Sequence, residues 1–417
     1  MVQLRAKIQN DRRYFWALVC FILVFAFILR LPYVSSGLPY FYHEDEAHHF
    51  NRVVRMTQKG EYNPEYFHKP SLHFYLRMPV VAASFLWSVK KGEIRSIQEV
   101  KTEDPYGLGD YNFTASHPRL VRWSRMLSVL LAVGLVAGAM KVSWLLIPAW
   151  PLMAATGLLT AVAPGLVSQS AVIGVDMPMA FFAILSVIFS LDFFRTKAYR
   201  YLFWAAVCAG LSTSSKYNAL PICVLPLVTI VVSRALRWKN LVTSLLVPIG
   251  AFFAASPFIL VSLPLFLDQF AYEIWHYGVA GHQGHMATPG FEQAGFYLNW
   301  IVADGVGLVG LFLAFLGALY FLLRLEREAV VAFSFSLLLF ILMCLQKTNF
   351  TRNLLALLPF VSLLVVFGLF ALVDISKRFV SEQRVPLVAG TFFLGVFFQP
   401  FLTASQVSMR ALSLKDS

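Results

Sequence analysis

One pattern runs the length of this chain: about twenty apolar residues, then a short polar connector, then another apolar run. A helix rising 1.5 Å per residue needs ~20 residues to cross a ~30 Å hydrocarbon core. Runs of that kind fall at about 14–31, 71–89, 120–140, 143–163, 177–194, 201–215, 218–233, 241–261, 297–323, 329–346, 353–373 and 385–404. Hydrophobic residues make up 58% of the chain and charged residues 13%. Ordinary soluble domains have ~45–50% and ~25%, so a soluble enzyme is excluded. The expected fold is an all-α polytopic membrane protein, one embedded unit over 1–417 with no separate soluble domain. Tyr14–Leu31 is too long for a signal-peptide core and lacks a small-residue cleavage site, so it is expected to remain as a span. Cys20, Cys208, Cys223 and Cys344 lie in apolar runs without CxxC spacing, which suggests neither disulfides nor a thiolate metal site.

Charge sets the expected orientation. The net charge of +12 fits membrane topology better than nucleic-acid binding, because Lys and Arg gather between apolar runs. If 71–89 lies in or near the interface instead of spanning, the cytoplasmic pieces hold 16 Lys and Arg, and the short external pieces and C-terminal tail hold 5. Arg77 and Pro79 inside that run also argue against a span. Eleven spans follow, with the N-terminus inside. A first external loop then covers about 32–118 and a second about 262–296. All nine His fall outside, across the two loops, and the first loop alone carries ten of the 22 acidic residues. The polar chemistry is expected on that face.

Several clusters there could carry chemistry. Tyr42-His-Glu-Asp-Glu-Ala-His-His49 places Glu44, Asp45 and Glu46 at the start of a short amphipathic helix, with Ala47, Phe50, Val53, Val54 and Thr57 at helical spacing and Gly60 as a stop. Such acids can be first-turn carboxylates favoured by the helix dipole, or one of them can be a general base. His68 and Lys69 sit in Phe67-His-Lys-Pro-Ser-Leu-His-Phe-Tyr75. Lys69 reads either as a snorkelling lysine or as a phosphate ligand. Arg119 and Arg122 share a helix face at the external end of a span, where basic residues need a local reason: a bound anion or lipid headgroups. Asp176 before Pro178, Lys216-Tyr217, Asp304 and Arg352 occupy other outer span ends. Asp176 reads as a helix cap, as a cavity-facing acid, or as both. His276, His282 and His285 lie in a glycine-rich stretch that could cover a cleft. Their spacing favours packing or substrate contact over a metal.

Asp45-Glu46-Ala47, Met56, Gly60 and the stretch Phe67–Tyr75 resemble the first external loop of the GT-C glycosyltransferases, most closely the protein O-mannosyltransferases and the lipid A aminoarabinose transferases. Arg119–Ser128, the GVDMP stretch at 174–178, Gly210–Tyr217 and Arg352–Pro359 look like later landmarks, so the resemblance covers about 10–375. Where the aminoarabinose enzymes have Glu-Lys-Pro-Pro, this chain has His68-Lys69-Pro70-Ser71. The resemblance implies a polyprenyl-phosphate-sugar donor, an inverting transfer, and Asp45 as the catalytic acidic residue with Glu46 beside it. It also implies donor-phosphate binding by Lys69 and Arg119; Arg122 and Arg352 are the further phosphate candidates. Glu44, His68, Asp176, Lys216, Tyr217 and His282 are expected around the substrates.

The function expected from residues and resemblance is transfer of a sugar from a polyprenyl-phosphate lipid to a hydroxyl of a glycan, lipid or protein acceptor. The expected setting is the external face of the inner (plasma) membrane. No cofactor, no essential divalent metal and no nucleic-acid partner are expected. The alternatives are a glycan ligase or polymerase using a diphosphate-linked donor, a lipid or solute transporter, and a non-catalytic membrane scaffold.

Overall fold

The computed structural model describes residues 12–414 except 42, 108, 325 and 378. No strand occurs among the described residues; three isolated bridges are the only extended pairings. The principal helices are α1 Arg12–Arg30, α2 Glu44–Lys59, α3 Leu72–Lys90, α4 Pro118–Leu146, α5 Trp150–Val162, α6 Asp176–Thr196, α7 Tyr199–Ser215, α8 Leu225–Val232, α9 Trp238–Ala255, α10 Leu263–Trp275, α11 Phe291–Ile301, α12 Gly307–Arg324, α13 Arg327–Cys344, α14 Leu358–Ser376 and α15 Val385–Ser413. Nine helices among the described residues are long and apolar enough to cross a membrane, and Trp150–Val162 and Tyr217–Val232 are shorter apolar helices. The all-α polytopic architecture expected from the sequence is the one observed.

The outer surface explains why this chain needs a bilayer. Leu308 on α12 is 69% exposed, and Phe312, Phe315 and Leu322 follow it along the same helix. Leu387, Leu394 and Phe398 do the same on α15. Contiguous apolar surface of this extent is not left in water. The interior is one large cluster built from α4, α6, α12, α13 and α14, including Leu135, Ile184, Phe335, Phe360 and Phe367. A second, smaller cluster joins Ala47, Phe50, Val53 and Val54 of α2 to Phe74 and Val81 of α3 and Leu120 and Val121 of α4. The first loop is therefore seated on its own core. α2 ends where its sequence says it should: Gly60 adopts φ 68° and its N–H reaches the Met56 carbonyl.

The segment expected at the interface is a continuous 19-residue helix, α3, which by length and composition alone also meets the measure of a span. Arg77, the residue that argued against spanning, is buried and has internal partners. Its guanidinium donates to the His73 carbonyl at 3.1 Å and to Ser128 Oγ on α4 at 2.9 Å. The charge is met by protein and does not have to face lipid.

The tightest helix crossing is α12 on α14, where two glycines meet. A Cβ on Gly317 would stand 2.0 Å from the Leu364 carbonyl oxygen, and one on Gly368 would stand 1.9 Å from that of Leu313. Both obstacles are backbone, so no side chain can yield. Gly317→Ala is expected to lower the unfolding temperature by forcing the helices apart, at a cost of about 1–3 kcal/mol or more. Gly395→Ala, with nothing within 4 Å of its added carbon, should leave it unchanged. Thermal unfolding in detergent reads both.

Candidate active site

Asp45, Asp176, Lys216 and Arg352 lie far apart in sequence and meet at one end of the bundle. Each sits at a helix terminus: Asp45 in the first turn of α2, Asp176 at the start of α6, Lys216 just past α7, and Arg352 in the 3-10 turn Thr351–Leu357 before α14. Arg352 Nη1 lies 2.8 Å from Asp45 Oδ2 and donates to His43 Nε2 at 3.0 Å. Lys216 Nζ donates to Asp176 Oδ1 at 2.6 Å and to Asn353 Oδ1 at 2.7 Å. The adjacent residues Arg352 and Asn353 thus join the two acids into one constellation. Of the readings open for Asp176, the cap is not realised: it is the first residue of α6, the cap position belongs to Val175, and the carboxylate is paired with buried Lys216. α6 has 21 residues, so its other end, with Arg195 paired to Glu328, lies ~30 Å away.

Lys69 completes the group through a residue the sequence did not single out. Its Nζ donates to Glu273 Oε2 on α10 at 2.6 Å, while Glu273 Oε1 meets His68 Nδ1 at 3.1 Å. The Tyr277 ring lies 5.7 Å from the ammonium. Tyr217 donates to the Phe67 carbonyl at 2.8 Å and packs edge-on to Phe270 at 4.8 Å. Nothing local in Leu263-Pro-Leu-Phe-Leu-Asp-Gln-Phe-Ala-Tyr-Glu-Ile-Trp275 distinguished Glu273 from Asp268; only the fold of α10 over the first loop selects it.

The electrostatics follow from these pairs. Burial disfavours the Asp45 carboxylate, but Arg352, with His49, His43 and Lys69, outweighs it and brings the group down to about 2. Burial likewise disfavours the Lys69 ammonium, yet Tyr277 and Glu273 hold it protonated well above its ordinary range. Glu273 is shifted down: burial opposes its charge, and His68 and Lys69 overcome that. His43 moves the other way, since burial and Arg352 together disfavour its cation despite the nearby acids.

Three expectations need correction. Glu46 does not stand beside Asp45 as a reacting carboxylate. It is 3% exposed and clamped by Arg125 on α4, at 2.8 Å and 2.7 Å, and it accepts the Ile173 N–H at 3.2 Å. Successive helix residues point ~100° apart, so Asp45 faces the cleft while Glu46 faces the core. Arg119 and Lys69 do not share a phosphate. Arg119 is bound to Glu93 just past the end of α3, whereas Lys69 precedes its start. Nineteen helical residues put ~28 Å between those points. Arg122 goes with Arg119, facing an apolar groove with Trp123 and Leu130. The Glu44 side chain lies outside the described residues.

The second loop is stitched in place. Lys347 N–H donates to the Tyr277 carbonyl at 2.8 Å, Asn349 N–H to that of His285 at 3.0 Å, and Ala287 N–H to that of Lys347 at 3.1 Å. The His282 ring lies 5.0 Å from Phe350, and the Arg352 guanidinium 5.0 Å from the same ring. His282 and Arg352 thus share the Phe350 ring as a neighbour. An apolar cavity of about 290 Å³ opens next to Tyr217, walled by Leu220, Phe252, Phe253, Phe266 and Phe270.

Comparison with known proteins agrees with this architecture. The family model for dolichyl-phosphate-mannose-protein mannosyltransferase matches residues 108–278. ArnT from Cupriavidus metallidurans bound to undecaprenyl phosphate superimposes with a TM-score of 0.56 at 14% identity, covering 96% of this chain and 76% of that one. The oligosaccharyltransferase AglB from Archaeoglobus fulgidus, in complex with an inhibitory peptide and a dolichol-phosphate, gives 0.64 at 12% identity, covering 95% of this chain and 56% of that one. No curated protein matches the sequence. The chain shares the fold of these solved structures, the GT-C fold that its first-loop motifs resemble.

Two outcomes test this geometry. Removing one partner of a buried ion pair strands the other, at about 3–5 kcal/mol. Glu46→Ala and Arg125→Ala should each sharply lower the unfolding temperature, while Glu46→Leu with Arg125→Met should recover most of the loss. The Asp45–Arg352 contribution has the sign of a depressed carboxylate. It is fully present above the ordinary value of 3.8 and is lost as pH falls towards about 2. Asp45→Asn should therefore flatten the fall in thermal stability between pH 4 and pH 2, read by unfolding scans across that range.

Proposed function

We propose that this protein transfers a sugar from a polyprenyl-phosphate lipid to an acceptor hydroxyl, with inversion at the anomeric carbon. The observation that carries the reading is the meeting of Asp45, Arg352 and Lys69 beside an apolar cavity. A polyprenyl-phosphate sugar has a hydrocarbon tail, an anionic phosphate and a reactive anomeric carbon between phosphate and water. The cavity next to Tyr217 suits the first isoprene units. Lys69 and Arg352 suit the phosphate, as compact and planar cationic donors respectively. Asp45, 40% exposed at the cleft, suits the acceptor.

In this scheme the acceptor hydroxyl loses its proton to Asp45 as its oxygen attacks the anomeric carbon. The carbon–oxygen bond to phosphate breaks, and the lipid phosphate leaves with its charge met by Lys69 and Arg352. A carboxylate at about 2 is a weak base. A phosphate that accepts hydrogen bonds from Arg352 draws that guanidinium away from Asp45 and raises its basicity when the donor is in place. Asp176 and Lys216 stand towards the sugar, Tyr217 borders the tail cavity, and His68 orients Glu273. The two cations suffice for a lipid-phosphate leaving group, so no divalent metal is required. The setting is the plasma membrane, with the cleft on the external face, where acceptor hydroxyls of glycans, lipids or proteins are met.

The test incubates purified protein with a panel of polyprenyl-phosphate sugars and one diphosphate-linked oligosaccharide, and follows loss of sugar. Wild type should consume a monophosphate donor, unaffected by EDTA. Asp45→Asn should slow transfer at least ~100-fold while retaining polyprenyl-phosphate binding, and Lys69→Ala should weaken that binding. Consumption of the diphosphate donor alone would make the protein a glycan ligase. Undiminished turnover by Asp45→Asn would remove Asp45 from the chemistry.

A further inference from the structure

The arginines that the structure separates from Lys69 have a setting of their own. Arg119, Arg122, Trp123, Met126, Leu127 and Leu130 follow one another on α4 at helical spacing and, with Val34 and Val80, wall a groove of about 560 Å³. At ~100° per residue this face points roughly 140° away from Arg125, which holds Glu46 beneath the cleft. The groove is therefore on the far side of α4 from Asp45. Its polarity is graded along the helix: Arg119 and Arg122 lie in the first two turns, and from Trp123 to Leu130 every wall residue is apolar. The eleven helical rises from Arg119 to Leu130 span ~16 Å, about half of a ~30 Å hydrocarbon core.

The cationic end is reinforced by α3. Lys90 and Lys91 hold their ammonium groups 5.7 Å and 5.8 Å from the Trp87 ring, and Trp87 lies 6.3 Å from Trp123. Tryptophans with basic residues at this level are the pattern of a bilayer boundary. Glu93 neutralises Arg119. Arg122 is exposed, feels Glu93 only through space and hydrogen-bonds none of the described residues. A positive rim above a one-leaflet apolar trough matches an amphiphile with an anionic head and an acyl tail.

We propose that this groove binds an anionic membrane phospholipid, its phosphate at Arg122 with Lys90 and Lys91 nearby and one acyl chain along Trp123–Leu130. The site is separate from the catalytic cleft and does not depend on the reaction assigned to that cleft. Charge complementarity selects the occupant: a zwitterionic lipid brings its own cation to the rim, and free phosphate leaves the trough empty.

The experiment reconstitutes delipidated protein in nanodiscs of phosphatidylcholine with or without phosphatidylglycerol. It reads thermal stability, and native mass spectrometry after extraction reads retained lipid. Phosphatidylglycerol should be retained and should raise the unfolding temperature; phosphatidylcholine alone or inorganic phosphate should not. Arg122→Gln should weaken retention about fivefold, the scale of one basic residue at an anionic surface, and Leu130→Gln should weaken it by spoiling the trough. Arg237→Gln, an exposed arginine at a different connector, should retain lipid like wild type. Equal retention by Arg122→Gln and wild type, or equal stabilisation by phosphatidylcholine, would overturn the proposal. So would loss of donor consumption by Arg122→Gln in lipid-free detergent, which would return Arg122 to the catalytic phosphate.

Discussion

The buried pair between Glu46 and Arg125 is the constraint on which the cleft depends. It fastens the first turn of α2 to the side of α4, and the Ile173 N–H on the same carboxylate ties in the loop that leads to α6. Arg125 also donates to the Ser36 carbonyl at 2.7 Å, fixing the chain as it leaves α1. Four segments that bear on the site are thus referenced to one carboxylate in a low-dielectric setting. There a satisfied pair is rigid and a half-satisfied one is costly. Asp45, one residue earlier, has its direction set by that anchorage. A carboxylate that must meet a reacting hydroxyl within a few tenths of an ångström benefits from a neighbour that cannot move.

Around this anchor the polar residues are arranged as matched opposites. Asp45 is matched by Arg352, Glu273 by Lys69 and Asp176 by Lys216. Each cation at the cleft already holds a carboxylate, so an arriving anion exchanges partners and does not fill a bare positive hole. Because Glu273 belongs to α10, and the loop after it is hydrogen-bonded to the segment that carries Arg352, the cover of the cleft and the cations inside it form one connected unit. Any anion that takes Lys69 from Glu273 also disturbs the hold of α10 on the first loop.

The same economy explains the arginine in α3. Arg77 lies in an apolar helix, but its two terminal nitrogens donate to His73 and to Ser128 of the next helix. Ionisable groups in such segments are tolerated when protein supplies the partners that lipid cannot. The arginines at the start of α4 obey a different rule. They sit where water, headgroups and hydrocarbon meet, and only Arg119 has a carboxylate to itself.

The sequence by itself determined that this is a helical membrane protein, because hydrocarbon thickness demands apolar runs of a length that no soluble fold needs. It determined α2 almost to its ends, since Ala47, Phe50, Val53 and Val54 recur at helical spacing and Gly60 alone accepts the left-handed stop. It also marked Asp45, Lys69, Asp176, Lys216 and Arg352 as polar residues at the ends of apolar runs, and these gather at one end of the bundle. It could not separate Asp45 from Glu46, because neighbouring carboxylates differ only in the face of α2 they occupy. It gave Arg119 and Lys69 to one ligand, because a line of letters does not show that α3 lies between them at full length. Glu273 and Arg125 were silent for the same reason. Their roles come from contacts across 204 and 79 residues of sequence, and such distances are closed only when the helices pack.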